Sequence, residues 1–356
     1  GYGLYLNRKS TGIKDRLYSK ALVLDDDVKR VAIVANDLIG VNKETTGAVR
    51  QMVARENGIP GNHILLACTH THHGPATIPL YGCGEIDYDY LNLLPKYIAG
   101  AVKMANANLQ DAKIGGGKGN LDNISRNRVE KGGPIDPEVG VIRVDDIQDN
   151  PLALLINFSC HPVVMPVNTF ISSDFPGRAT SVVETVQRGV TGMLLQGACG
   201  DINPVLTNTG NLEQPGVSLA AEALRVGEQI HTKGEARIAA KTMNVKLPLS
   251  VQTAEEVRKV LNEYKPKLYS KDEKEQKYGK LYCEWAENAL KKLETGQEPW
   301  METEIQVLQM NNVVLAAEPG EMFVEFCLDV KGRSPHENTF IVGYANDFVG
   351  YIPDKE

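Results

Sequence analysis

The chain has 356 residues, 42% of them hydrophobic, with 38 basic against 45 acidic side chains and a net charge of -7. That is ample material for the core of one large α/β domain with an insertion. With no basic cluster long enough to track phosphates, nucleic acid is excluded as an expected partner, and no apolar run approaches the ~18 residues of a transmembrane segment. Six cysteines, at 68, 83, 160, 199, 283 and 327, show no C-x-x-C spacing and read as free, largely buried thiols, because a chain of this size needs no disulfide staples.

Taken in order, Ala21 to Asp25 and Val31 to Asn36 alternate as a hairpin around an acidic turn holding Asp26 and Asp27. Asn42 to about Glu56 reads as an amphipathic helix closed by Gly58 and Pro60. The apolar run Leu65 to Cys68 then leads into Thr69-His70-Thr71-His72-His73-Gly74-Pro75, which holds three of the seven histidines. In an extended chain alternate side chains share a face, so His70 and His72 are expected side by side at a strand end. Neutral imidazoles so placed suit a metal ion. A bare H-x-H is equally served by histidines bonded to backbone or threonine, but a second apolar run, Leu152 to Phe158, also ends in a histidine, His161, before Pro162.

Between those runs, Tyr88 to about Leu109 has helical spacing despite Pro95, and Ile114 to Leu121 and Val139 to Val144 read as strands. They flank Asn123-Ile124-Ser125-Arg126-Asn127-Arg128, a polar loop with two arginines. After His161 come a loop over Asn168 to Gly177, a helix from Ala179 to about Val186 begun near Asp174, and a short strand, Met193 to Gln196, entering Gly197-Ala198-Cys199-Gly200-Asp201-Ile202-Asn203-Pro204. Asp201 there reads as a turn residue or as a partner to a histidine. A helix over Val217 to about His231 and a strand over Ala236 to Leu247 follow. From Thr253 to Gln297 Lys and Glu dominate at helical spacing, the pattern of an inserted helical hairpin with solvated faces. Ile305 to Ala317 and Phe340 to Gly343 return to strand character.

The ordered set of motifs resembles the catalytic domain of the neutral/alkaline (non-lysosomal) ceramidases. Thr69-His70-Thr71-His72 with Gly74-Pro75 is similar to that family's T-H-T-H-S-G-P, with His73 at the serine. Asn157 to Pro162, then Ser172-Ser173-Asp174 and Gly177, resembles its H-P stretch and S-S-D-x-x-G. Asn123 to Arg126 resembles N-I-N-R, Pro319-Gly320-Glu321 resembles P-G-E, and Asn346 to Ile352 resembles N-x-x-x-x-Y-I. The resemblance implies a mixed β-sheet flanked by helices and zinc held by His70, His161, Glu321 and Tyr351. It also implies His72 and Arg126 as assistants in carbonyl chemistry, with Arg128 as the alternative to Arg126. The activity implied is hydrolysis of an amide or ester bond by metal-activated water, on a small-molecule or lipid-like substrate, and the location implied is exported.

Two departures modify that expectation. Asn203 stands where the family has the serine of G-D-V-S-P, which excludes a serine nucleophile at 203 and leaves Asn203 to orient substrate by hydrogen bonding. No counterpart of the family's next tyrosine, or of the immunoglobulin-like domain of its long members, is read before Glu356, so a substrate other than ceramide is expected. Two rivals remain. An amidohydrolase-type barrel needs further strand-end histidines that are not apparent, and a catalytically degenerate ceramidase-like domain with a binding or structural role is kept open by Asn203.

Overall fold

The structure, a computed structural model, describes residues 9–80, 82–250, 252–296 and 300–354. Strand β1 (Gly12–Ile13) is a two-residue piece. β2 (Ser19–Asp25) and β3 (Arg30–Asn36) form the expected antiparallel hairpin, and α1 (Lys43–Asn57) crosses over to β4 (Ile64–Cys68), parallel to β3. The boundaries of α1 have local causes: the Asn42 side chain accepts from the Thr45 N–H at its start, and Gly58 adopts a left-handed φ of 69° at its end. α2 (Tyr88–Ala107), capped by Asp87, packs Leu94, Ile98 and Val102 onto the outer face of this sheet.

Next come β5 (Ala112–Asn120), the short β6 (Ser125–Asn127), β7 (Glu138–Asp146), β8 (Pro151–Phe158), the short β9 (Phe170–Ile171), α3 (Asp174–Val186), β10 (Thr191–Gln196), the short β11 (Ile202–Pro204) and α4 (Glu213–Gly227). The last stretch holds β12 (Ile238–Pro248), α5 (Ala254–Tyr264), α6 (Glu273–Glu294), β13 (Trp300–Met310), β14 (Val313–Ala317), the short β15 (Glu321–Met322), α7 (Val324–Arg333), β16 (Asn338–Val342) and the short β17 (Tyr351–Ile352). A second sheet has the order β10-β8-β7-β5 and a third β12-β13-β14-β16, each mixing parallel and antiparallel pairs.

The three sheets turn their inner faces to one core, with Ile33 and Leu65 from the first, Ile142, Leu155 and Leu195 from the second, and Leu308, Leu315 and Phe340 from the third. Helices cover the outer faces: α1 and α2 on the first, α3 and α4 on the second, α7 against the third. This is the mixed-sheet α/β architecture expected. Among the described residues no helix is long and apolar enough to cross a membrane, and all six cysteines are free.

The sheets are stitched at one end. The Cys68 N–H donates to Tyr344 O, the Asn346 N–H to Leu66 O, and the Gly343 N–H to Gln196 O. The C-terminal ends of β4, β8, β10 and β16 therefore open onto one place, which is where sheets with parallel strands collect functional groups.

Several boundaries differ from the sequence reading. The run from Ile305 to Ala317 is two antiparallel strands, reversed at Asn311 with φ 55°. Helix α4 begins at Glu213 and ends at Gly227, leaving His231 outside it. The arginine loop contains β6, which pairs antiparallel with β11. Helix α7 is given no range by the sequence reading, in which Glu321 as a helix-start carboxylate figures only as the alternative to Glu321 as a ligand: its N-cap, Phe323, makes no side-chain cap and only Val324 and Cys327 of the helix are buried, so an apolar stripe is absent. The hairpin of α5 and α6 lies within the expected insertion, whose last residue, Gln297, falls outside the described residues.

Candidate metal centre

Strand β4 stops at Cys68, and His70 adopts a left-handed backbone with φ 65°. The alternation argument for His70 and His72 therefore fails in its mechanism although the two rings do meet: their Nε2 atoms lie 3.2 Å apart because the chain turns, not because it stays extended. A left-handed histidine costs of order 1 kcal/mol and persists only where its surroundings hold it. Here the Thr69 and His70 N–H groups donate to Asn36 O and Leu38 O beyond the end of β3.

His161 arrives from the end of β8, and its Nε2 sits 3.1 Å from that of His70. Each of these rings is turned by a backbone carbonyl. His70 Nδ1 lies 2.6 Å from Ile39 O and His161 Nδ1 lies 2.7 Å from Cys199 O. A carbonyl only accepts, so each Nδ1 carries the proton and each Nε2 presents a lone pair. Both rings are buried, and burial pushes both imidazoles well below the usual histidine range; the neighbouring histidine adds to this for His70, and Arg128 then His72 for His161.

Glu321, in β15, completes the buried group. Its Oε2 is 3.4 Å from His161 Nε2 and 3.6 Å from His70 Nε2, and it is buried with no hydrogen-bond partner. Burial pushes this carboxyl up to about 7, against the pull of the Tyr351 hydroxyl and the Arg128 cation. Tyr351 stands directly across from Glu321 in the parallel β15–β17 pair. Its ring is half-exposed, and its hydroxyl accepts from Arg128 Nη2 at 3.0 Å.

Two imidazole lone pairs and a carboxylate facing one another in a dry site repel, and a cation relieves the repulsion. The spacing fits one: ligands about 2.0–2.1 Å from a tetrahedral centre lie about 3.3 Å from each other. The N,N,O donor set, with each histidine oriented through its other nitrogen, suits zinc. His70, His72 and His161 form the compact group of potential ligand atoms found among the described residues.

The arginine brought to this group is Arg128. Its guanidinium bonds Tyr351 and, through Nε at 3.1 Å and Nη2 at 2.5 Å, Gly200 O. Arg126 is exposed and lies directly across from Asn203 in the β6–β11 pair, so these two are neighbours on one face. Asn127-Arg128 also supplies the Asn-Arg doublet that closes N-I-N-R, an ambiguity of two residues that the local sequence could not resolve. Asn203 Oδ1 is buried with no hydrogen-bond partner. Asp201 does not touch a histidine: its carboxylate accepts from the Asn127 amide and the Val324 N–H.

Two further residues, Gln196 and Tyr344, escaped the sequence reading as parts of the site. Gln196, at the end of β10, donates to Cys160 O at 2.8 Å and Thr69 O at 3.3 Å and so ties together the segments bearing His161 and His70. The Tyr344 ring stacks on His70 with centroids 3.9 Å apart. Its hydroxyl meets Cys199 Sγ at 3.1 Å. Neither has a local signature, because each acts through a contact distant in sequence.

A family profile described as neutral/alkaline non-lysosomal ceramidase, N-terminal, matches residues 1–209, which include His70, His72, Arg128, His161 and Asn203. The chain belongs to the neutral/alkaline non-lysosomal ceramidase family. Relatives of this ceramidase-family chain include the neutral ceramidase of Pseudomonas aeruginosa, 26% identical over 227 residues, which are 56% of this chain and 34% of that protein. Neutral ceramidase A of Dictyostelium discoideum is 28% identical over 201 residues, 50% of this chain and 28% of that protein. The match thus spans about a third or less of these relatives' own length.

The fold is similar to a crystal structure of the Pseudomonas aeruginosa neutral ceramidase, with a TM-score of 0.76 at 19% identity over 99% of this chain and 65% of that one. It is also similar to a ceramidase complexed with C2, with a TM-score of 0.77 at 21% identity over 99% of this chain and 66% of that one. The structural similarity extends past residue 209 and takes in the segments bearing Glu321 and Tyr351.

Proposed function

We propose that this chain is a zinc-dependent hydrolase of an amide or ester bond in a small-molecule or lipid-like substrate, with His70, His161, Glu321 and Tyr351 holding the metal. The observation that carries this reading is the pair of Nε2 lone pairs 3.1 Å apart, both Nδ1 protons being engaged by carbonyls, with Glu321 Oε2 aimed at them. Family membership supports the hydrolase class. Zinc supplies Lewis acidity, polarising a carbonyl and making water nucleophilic near neutral pH.

The chain's own groups do the rest. His72, whose Nε2 is beside that of His70, holds a proton for the leaving group at the edge of the cluster. Arg128 fixes the Tyr351 hydroxyl and brings a permanent positive charge to the place where negative charge develops on the carbonyl oxygen, worth about 3 kcal/mol for one well-placed donor. Asn203 and Arg126, side by side across two strands, offer an amide and a cation to the rest of the substrate. A substrate other than ceramide is part of this proposal, and Asn203 in place of the family serine leaves metal-activated water as the nucleophile. Residues 1–356 then act as one domain with the helical insertion 253–297, a reading supported by a core that draws on strands from β3 to β16.

The test is hydrolysis of a panel of N-acyl amides and esters, with ceramide included, before and after chelation and zinc re-addition. Chelator-sensitive turnover restored by zinc supports the proposal, and turnover of ceramide alone would overturn its substrate clause. A protein that binds zinc and turns over none of the panel is the catalytically degenerate domain instead.

A further inference from the structure

The turn from Cys199 to Asn203 contacts His161, Arg128 and the segment following Glu321, yet the chemistry above leaves the Asp201 carboxylate without a task. Cys199 O orients His161 Nδ1, and Ile202 O accepts from the His161 N–H. Gly200 donates its N–H to Met322 O, next to Glu321, and its carbonyl receives the Arg128 guanidinium. A side chain at 200 has no room: a Cβ there would stand 2.3 Å from Glu321 O.

Asp201 is 3% exposed, and its oxygens are divided between two elements. Oδ1 accepts from the Val324 N–H at 2.9 Å, at the start of α7 and three residues after Glu321. Oδ2 accepts from Asn127 Nδ2 at 2.7 Å, next to Arg128, while the Asp201 carbonyl accepts from the Arg128 N–H at 2.8 Å. Asn127 passes the constraint on, since its Oδ1 accepts from the Val129 and Glu130 N–H groups. A carboxylate, all acceptor, satisfies both donors; an amide would set an N–H against one of them.

We propose that Asp201 is a positioning residue that clamps the end of β6, which Arg128 directly follows, to the start of α7, which β15 with Glu321 precedes, and so sets the spacing of Arg128, Tyr351 and Glu321 around the metal. Tyr351 follows because β17 is paired with β15. The inference rests on the metal reading above, and its test separates the two. A residue that only caps α7 would alter melting temperature and leave the Arg128 segment undisturbed.

The experiment uses the full chain, measuring zinc affinity by chelator competition and amide hydrogen exchange on the metal-free protein. In Asp201→Asn, zinc binding is expected to weaken ~10- to 100-fold, the range for partners that orient ligands. Exchange in segments 122–130 and 320–326 is expected to accelerate together. The swapped pair Asp201→Asn with Asn127→Asp restores donor facing acceptor between the two side chains and is expected to regain part of both losses.

Zinc affinity within about twofold of wild type, or faster exchange in the 320–326 segment alone, would overturn the proposal. Should Asp201→Asn fail to fold, Val324→Pro removes the donor to Oδ1 at a first helical position that accepts proline, after Phe323 in an extended conformation with ψ 149°. It too is expected to speed exchange in segment 122–130, and unchanged exchange there would overturn the clamp. Wild-type protein that binds no zinc contradicts the metal reading, while the exchange arm still decides the role of Asp201.

Discussion

The strand-end site and the inserted hairpin are built on opposite terms. Around His70 and His161, side chains are buried, nearly every polar group is tied to a residue far away in sequence, and three non-glycine residues close by, His70, Asp174 and Tyr344, have positive φ. In the hairpin, α5 begins with a capping box between Thr253 and Glu256 and α6 with Asp272 accepting from the Lys274 N–H, interactions local to their helix. Only Val257, Gly279, Cys283 and Ala286 of those helices are buried. A region organised from a distance carries strain and poised charge, whereas one organised locally carries stability and little else.

The sharpest way to break that contrast is to remove a ligand. A four-ligand zinc site binds with ~10–16 kcal/mol, so His161→Ala or His70→Ala is expected to cost about 3–4 kcal/mol, ~10²- to 10³-fold in zinc affinity by chelator competition. A smaller but equally regional effect is expected from Asp174, which accepts from the Val164, Met165 and Phe175 N–H groups just after His161 and whose carboxyl burial pushes up from 3.8 to about 6.

The folded state holds that proton to higher pH than the unfolded chain does. Stability from this group is therefore greatest below pH 3.8, falls as pH rises through about 6, and levels off above it. The shift corresponds to roughly 3 kcal/mol. Denaturant melts from pH 4 to 7 should show this slope in the wild type and its loss in Asp174→Asn.

Gln196→Leu leaves the buried Thr69 and Cys160 carbonyls without this donor, an expected loss of about 1–3 kcal/mol on thermal unfolding accompanied by weaker zinc binding. At the other pole, Thr253→Ala removes one exposed cap and is expected to cost about 1 kcal/mol. Zinc affinity should be unchanged, and a change there would show that the insertion is coupled to the site.

The same contrast decides what could be read from the residues alone. The hairpin of β2 and β3, α1 with its Asn42 and Gly58 ends, and the two apolar runs leading to His70 and His161 announce themselves in local pattern and end signals. So do α5 and α6. The histidines were visible as candidates, but the reason that His70 meets His72, a left-handed turn, was not, since alternation described a strand that ends two residues too early. Arg126 and Arg128, two positions apart in one polar loop, were both open as the functional arginine, and local sequence did not decide between them. Gln196, Tyr344 and the division of Asp201 between Asn127 and Val324 are contacts between segments 36 or more residues apart, and nothing near them in sequence marks their partners. Helix α7 is held by just such a contact in place of a cap of its own.

The central claim is that the strand-end group is a zinc site, and elemental analysis of the purified chain beside its His161→Ala variant tests it most directly. The account predicts one zinc per wild-type chain and a clearly substoichiometric content in the variant. Wild-type protein that stays metal-free after incubation with zinc, or a variant that keeps the full complement, would contradict it.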